Sequence, residues 1–252
     1  MTRRGVLGAL IGIASSLALS ACGNGVTGKA FPPIRYKITA EVETPEGMKT
    51  GHSVLEFQGN MSGSIFGAMG GSGFNVRGEA IAVDLAPGQM LFVLLSAPRD
   101  ADFAANALNS IKIAKNDSTA PTDRAGETAQ TEHMFARLRA NRGVYTLWIP
   151  KGQPRDETLA GVPYFVHFRN IADPKSVEQV DPDNLAKSFG HGVKLKALTI
   201  QITDETVTTG IQKRLIWLSD QRGSLVKYPS LTPIEDIPAV QRLNEGDFWR
   251  NF

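Results

Sequence analysis

The chain has 252 residues, with 27 Lys or Arg against 25 Asp or Glu. Two of the arginines lie in the first 21 residues, which hold no acid, so residues 22–252 carry 25 basic and 25 acidic side chains (27 minus 2 against 25). A neutral body without a basic stripe argues against nucleic acid as a partner. The single cysteine excludes an intramolecular disulfide.

Residues 1–21 have the pattern of a secretory signal peptide. Arg3 and Arg4 precede an uncharged run of Gly, Ala, Ser, Val, Ile and Leu. A cationic start, an apolar run and small residues before a cleavage point are typical of such signals. The run is short for a membrane-spanning helix, which remains the less favoured alternative. The arginine pair resembles a twin-arginine export motif, so twin-arginine and general secretory export both stay open.

The sequence Leu19-Ser20-Ala21-Cys22 ends this signal. It resembles the lipobox of bacterial lipoproteins that signal peptidase II processes. The resemblance implies cleavage between Ala21 and Cys22, a diacylglycerol on the Cys22 thiol, and a fatty acid such as palmitate on the new amine. Two or more acyl chains anchor a protein stably. Gly23, where Asp would signal inner-membrane retention, favours the periplasmic face of the outer membrane. The inner membrane and the cell surface are the alternatives.

Three segments follow from this interpretation. Residues 1–21 are the signal peptide, and residues 22–33 are the lipidated cysteine and a flexible tether rich in Gly and Pro. Residues 34–252 are predicted to form a single α+β domain. We expect mainly antiparallel β-sheet, with two or three short helices packed against it.

The first part of this domain predicts a β-hairpin. Apolar and polar residues alternate strictly over residues 34–43, which is the period of a strand with one buried face. A Pro-Glu-Gly turn follows at 45–47, and residues 52–58 return as the second strand.

The next segment is rich in glycine and then in apolar residues. Six glycines between 59 and 73 predict a loop or a bulged strand. Residues 75–85 and 89–97 predict two strands joined by an Ala-Pro-Gly turn. The second strand is apolar on both faces, so we expect it to lie centrally in its sheet.

Two helices are predicted before the middle of the chain. Asp100 or Asp102 can cap the first, which carries Phe103, Ala107, Leu108 and Ile111 on one side. The second spans about 127–141, and its inward residues are Met134, Phe135 and Leu138.

The remaining chain predicts more strands and two helix starts. Strands are expected at 143–150, 163–171, 195–203 and 210–218. Asp173-Pro174 and Asp181-Pro182 resemble helix N-termini, with Asp capping and Pro in the first turn. The helix after Asp181 should end at Gly190.

No motif in the chain identifies a catalytic residue, a metal site or a cofactor site. The four histidines, His52, His133, His167 and His191, have no metal-ligand spacing. The acidic residues Asp173, Glu178, Asp181 and Asp183 lack the order of a calcium loop, and helix capping accounts for two of them. We therefore predict no cofactor and no metal.

The segments at 76–85 and 173–215 are similar to bacterial envelope proteins of an uncharacterised family, which implies no activity. The anchor and the absence of a catalytic motif favour a binding or accessory module with a protein partner in the envelope. A periplasmic hydrolase whose site is scattered along the sequence is the first alternative. A structural or phage-encoded envelope factor is the second.

Overall fold

The computed structural model describes residues 29–61, 72–98, 100–111, 124–153, 161–227, 233 and 236–251. Within these residues the strands are β1 Lys29–Ala30, β2 Ile34–Thr44, β3 Gly47–Met61, β4 Ser72–Glu79, β5 Ile81–Ala86, β6 Gln89–Val93, β7 Val144–Thr146, β8 Phe165–Phe168, β9 Val177–Val180, β10 Lys194–Ile202 and β11 Trp249–Arg250. The α-helices are α1 Phe103–Asn106, α2 Arg124–Ala140, α3 Ala186–Phe189, α4 Ile211–Arg214 and α5 Glu245–Phe248. Short 3-10 helices occupy Ala107–Ser110, Pro174–Ser176 and Ala239–Arg242.

The strands form two antiparallel sheets. The first has the order β11-β4-β3-β2-β10-β7, and β1 also pairs with β3. The second has the order β5-β6-β8-β9. Antiparallel sheet dominates and the helices are short except for α2, so the predicted α+β class is confirmed.

The alternating residues of β2 build the central strand of the first sheet. Every second residue from Ile34 to Val42 is buried, and the residues between them are less buried. Residues 47–57 of β3 pair with the whole of β2, so the predicted hairpin is confirmed, and its second strand is longer than expected. β10 lies on the other side of β2 and buries Leu198, Ile200 and Ile202, as its alternation predicts.

One core lies between the two sheets. The inner face of the first sheet contributes the apolar residues of β2 and β10, and the second sheet contributes Ile81, Val83, Leu91 and Val93. A second core covers the other face of β6 and β8. It is closed by the C-terminal part of the chain through Ile211, Leu215, Leu218, Leu225, Leu243 and Phe248. β6 is buried on both sides and lies between β5 and β8, so its predicted central position is confirmed.

The segment 210–218 was predicted as a strand, and this prediction is wrong. Gly210 has φ +139° and is followed by the single turn of α4 and further turns. Ile211, Leu215 and Leu218 enter the second core at spacings of four and three residues, which is the helical period.

The predicted strand 75–85 divides into two strands of different sheets. Gly78 has φ +138°, a conformation that L side chains rarely adopt, and β4 ends at the next residue. The chain then crosses at Ala80 to β5 in the second sheet.

Smaller differences concern helix ends and the tether. Lys29 and Ala30 pair with β3, and Phe31 is buried, so these residues belong to the folded body rather than to the tether. Met134 is 43% exposed, although we predicted it inward; Phe135 and Leu138 are buried as expected.

The helix predicted to begin at Asp181-Pro182 begins only at Ala186, because Asp181 accepts the N–H of Asp183 in a turn instead. That helix ends at Gly190, as predicted. Asp173 accepts the N–H of Lys175 at the start of a 3-10 helix.

The helix predicted to carry Phe103, Ala107, Leu108 and Ile111 is a single α-turn continued by a 3-10 turn, and all four side chains are buried. Asp102 occupies its N-cap position but makes no capping hydrogen bond with its side chain.

Candidate functional site

The outer edge of β3 has a gap in its pairing. β4 pairs with the C-terminal part of this edge, and Thr208 pairs with it at Val54. The Thr208 N–H donates to the Val54 carbonyl at 3.0 Å, and the Thr208 hydroxyl accepts the Val54 N–H at 2.8 Å. Backbone groups alternate in direction along a strand, so those of His52 and Thr50 point the same way as those of Val54. No described strand pairs with them.

An open groove of about 330 Å³ runs along this gap. Its first wall is β3 at residues 50–52, and its second wall is β5 with Ala82 and Asp84. The segment from Thr208 to Arg214 closes one end. The walls meet at Gly51, where a Cβ atom would lie 2.4 Å from the Ala82 carbonyl oxygen. Only glycine therefore fits where the two sheets cross.

Glu79 is a buried carboxyl at the inner side of the groove. Its side chain accepts the N–H of Ile211 at 2.9 Å, so it holds the start of α4 against the corner between the sheets. Burial raises the pKa of Glu79 above its ordinary value. The backbone hydrogen bonds from Ile211 and Gly210 and the charge of Arg214 oppose this shift.

The outer part of the groove carries charged and polar side chains. Arg214 Nη1 lies 2.7 Å from Asp84 Oδ1 across the opening, and His52 and Thr50 are exposed on the β3 side. Arg214 keeps further N–H donors beyond this ion pair. The groove therefore offers backbone donors and acceptors along the β3 wall. It also offers the ion pair between Asp84 of the β5 wall and Arg214 of the closing segment.

The predicted lipidation and cleavage residues, Cys22 and Ala21, lie outside the described residues. The four histidines lie on different elements, and His52 is the one that lines the groove. His167 Nε2 lies 3.2 Å from Glu178 Oε2 on the second sheet, two strands from β5. The ring of His167 also packs edge-on against Phe189, with 5.3 Å between the ring centroids.

The acidic residues from Asp173 to Asp183 are each held by the protein. Asp173 and Asp181 accept backbone N–H groups two residues ahead, and Asp183 accepts the N–H of Lys151. Glu178 also contacts Arg169 at 2.8 Å. Among the described residues, no three His, Cys, Asp or Glu side chains form a group that could hold a metal ion.

Sequence reasoning missed the residues of the groove. Glu79, Asp84 and Arg214 are far apart in the sequence and belong to no motif. The one local signal was Gly78 inside a strand pattern, since a glycine there often marks a bend.

No family model, curated protein or solved structure matches this chain. In the described part of the chain, no helix combines the length and apolarity that crossing a membrane would require.

Proposed function

We propose that the mature chain is a lipid-anchored binding module of the bacterial envelope. It is held at the periplasmic face of the outer membrane by the lipidated Cys22, and it binds an extended segment of a protein partner along the gap in β3. The lipobox and Gly23 support the anchor and its address. No described strand pairs with the edge at Thr50 and His52, and this edge with the groove beside it supports the binding mode.

The gap in β3 is the observation that carries the proposal. An exposed sheet edge offers a row of N–H and C=O groups that an extended peptide can pair with as an added strand. Here the edge is paired on its C-terminal side by Thr208 and β4, so an added strand would fill a defined space. Backbone pairing gives affinity, and side chains along the groove select the sequence. The Asp84–Arg214 pair and His52 are placed for that selection.

The anchor is tested by Cys22→Ala. The variant should not incorporate a clickable fatty acid and should remain an uncleaved or mislocalised precursor, because no second cysteine is present. Continued labelling of the variant would refute the lipobox interpretation.

The binding mode is tested by His52→Pro. Proline removes the outward N–H of residue 52 and keeps the ladder to β2, because proline is tolerated at an edge where the N–H faces solvent. Thr146→Pro is the matched control. The N–H of the neighbouring Leu147 donates to Leu198 in β10, so the N–H of Thr146 points away from the sheet at its other edge.

A photo-crosslinking residue at Thr50 reports the partner in intact cells. We expect His52→Pro to reduce the crosslinked product strongly and Thr146→Pro to leave it unchanged. Thermal unfolding curves check that both variants are folded. Equal crosslinking in the two variants would contradict strand addition at β3.

A periplasmic hydrolase is the second candidate, and Glu79 is the observation that favours it. A buried carboxyl with a raised pKa beside an open groove can act as a general acid. Panels of chromogenic ester, glycoside and phosphate substrates test this alternative with the parent chain and Glu79→Gln. Turnover by the parent that is absent in a folded Glu79→Gln variant would favour the hydrolase. If the parent turns over none of these substrates, the binding module remains the favoured function.

A further inference from the structure

A second groove, lined by three arginines, lies beside residues 29–33, which are called the N-terminal segment below. It has a volume of about 290 Å³ and is lined by Pro33, Arg35, Arg139, Arg142, Ile202, Thr203 and Asp204. Arg35 lies at the start of β2, Arg139 lies on α2, and Arg142 follows α2. Residues 202–204, at the end of β10 and just beyond it, line the rest of the groove.

Each arginine is positioned by a contact with another described residue. Arg35 Nε lies 2.8 Å from Glu56 Oε2, Arg142 Nη2 lies 3.0 Å from Asp204 Oδ2, and Arg139 donates to the carbonyl of Pro32 at 3.0 Å. A guanidinium has five N–H donors, so each contact leaves donors for a ligand.

The groove has an excess of positive charge on a body that is neutral overall. Three arginines and one aspartate line it, which leaves two net positive charges. Glu56 lies behind Arg35 and is shared with Arg77, 2.8 Å away, so two cations already neutralise this carboxylate. Guanidinium groups match the oxygens of a phosphate in pairs and keep their charge at any physiological pH.

The position of the N-terminal segment indicates where a phosphate ligand of this groove would come from. Phe31 is buried and stacks on Phe135 of α2 at 5.1 Å, and Arg139 holds Pro32 at the rim of the groove. The segment is thereby fixed to the same surface as the arginines. Six residues lie between Cys22 and Lys29, so seven Cα–Cα steps span at most about 25 Å when the chain is fully extended. A membrane that holds the lipidated Cys22 is therefore close to this groove.

We infer that this arginine groove binds the phosphate of an anionic phospholipid headgroup in the membrane that anchors the chain. The inference rests on the proposed lipidation of Cys22. It gives the groove a function separate from the β3 gap: headgroup binding fixes the orientation of the body on the membrane surface.

The test uses the full mature chain, with its lipid verified by intact mass, in nanodiscs of phosphatidylcholine with and without phosphatidylglycerol. Amide hydrogen exchange at residues 139–142 and 202–204 reports contact with the headgroups. Arg142→Gln is the test variant. Its partner Asp204 is 85% exposed, so losing that surface ion pair should leave the fold intact. Arg169→Gln is the control, because it also breaks an exposed ion pair, with Glu178 on the second sheet.

We expect phosphatidylglycerol to slow amide exchange in the parent and in Arg169→Gln. In Arg142→Gln the protection factor that phosphatidylglycerol adds should be roughly fivefold smaller, which is the scale of one basic residue at an anionic surface. The same protection in both variants, or none in the parent, overturns the inference. A second arm adds inorganic phosphate to the chain in uncharged micelles at constant ionic strength. Stabilisation by phosphate without protection in nanodiscs overturns the lipid source and identifies a soluble phosphate compound instead.

The outcome is distinguishable from failure of the proposed function. Lost lipidation is seen in the intact mass, and lost partner binding is seen in the Thr50 crosslink, which Arg142→Gln should not change.

Discussion

Gly51→Ala should push the two sheets apart at the point where they cross. The added Cβ would lie 2.4 Å from the Ala82 carbonyl oxygen and 2.9 Å from a methyl group of Val83. Real Cβ atoms essentially never approach closer than 3.0 Å, and the nearer neighbour is backbone, which cannot rotate away. β5 must therefore shift relative to β3, and the groove beside Gly51 must change shape with it.

The net cost follows from two opposing effects. Overpacking of this kind costs about 1 to 3 kcal/mol. Replacing glycine with alanine returns roughly 0.4 to 1 kcal/mol, because the unfolded chain loses conformational freedom. The middle of each range gives a net loss of about 1.3 kcal/mol, which lowers the melting temperature of a domain of this size by about 3 to 5 °C.

Urea unfolding followed by fluorescence of the three tryptophans measures this loss. Gly161→Ala is the control, because among the described residues its Cβ would meet only the Ala97 Cβ, at 3.5 Å, which is an ordinary contact. The control should stay within about 0.5 kcal/mol of the parent. A Gly51→Ala chain as stable as the parent, with an unchanged denaturant slope, would refute the close approach of β5 to β3.

Three further predictions concern the core and its buried acids. Tyr36→Phe should cost about 1 to 3 kcal/mol in urea unfolding, because the buried hydroxyl donates to a carbonyl of α1 that would lose its partner. Ile38→Asp should cost about 3 to 5 kcal/mol by the same measurement, since it buries an unpaired charge, whereas Glu41→Ala should cost under about 0.5 kcal/mol; equal losses would contradict the facing of β2. Burial raises the pKa of Glu79 and Asp247 above their ordinary values of 4.5 and 3.8, so the folded chain holds protons that the unfolded chain releases. The free energy of unfolding should therefore fall as the pH rises from these ordinary values to the raised pKa values of the folded chain. In a series of urea titrations, Glu79→Gln should make this fall smaller.

Strict alternation was a reliable guide to the central strands. In β2 the burial of side chains follows the sequence pattern residue by residue, because one face of the strand meets the core and the other does not. The same holds for the second half of β10, from Leu198 to Ile202. In both strands the local period and the tertiary burial agree.

The sequence pattern was misinterpreted at two turns of the backbone. Apolar residues lie at even positions up to Ala80, and the large apolar residues lie at odd positions from Ile81 to Leu85, so the change of sheet coincides with a change of phase that one continuous strand does not explain. In the segment 210–218, apolar residues at 211, 215 and 218 fit a helical period, and Gly210 with its positive φ starts the turn. That segment was short and apolar enough to suit either element, and its helical spacing was the better guide.

The candidate site could not be predicted because it arises from topology. His52 and Thr50 are unremarkable polar residues of a hairpin, and their neighbours in the groove come from β5 and α4. Only the pairing of β3 reveals that no described strand lies beside these two residues.

The corner at Gly78 explains both the fold and the gap in β3. β4 follows β3 as far as the Glu56–Arg77 pair, then turns out of the first sheet to begin the second. The remaining edge of β3 loses its neighbour at that point, and among the described residues it is paired again at Val54 by Thr208, in the segment after β10. A chain that kept β4 straight would cover this edge but could not build β5 over the core. The exposed edge is thus a consequence of how the two sheets are joined, and in the proposed complex a partner strand would complete the edge that the described residues leave open.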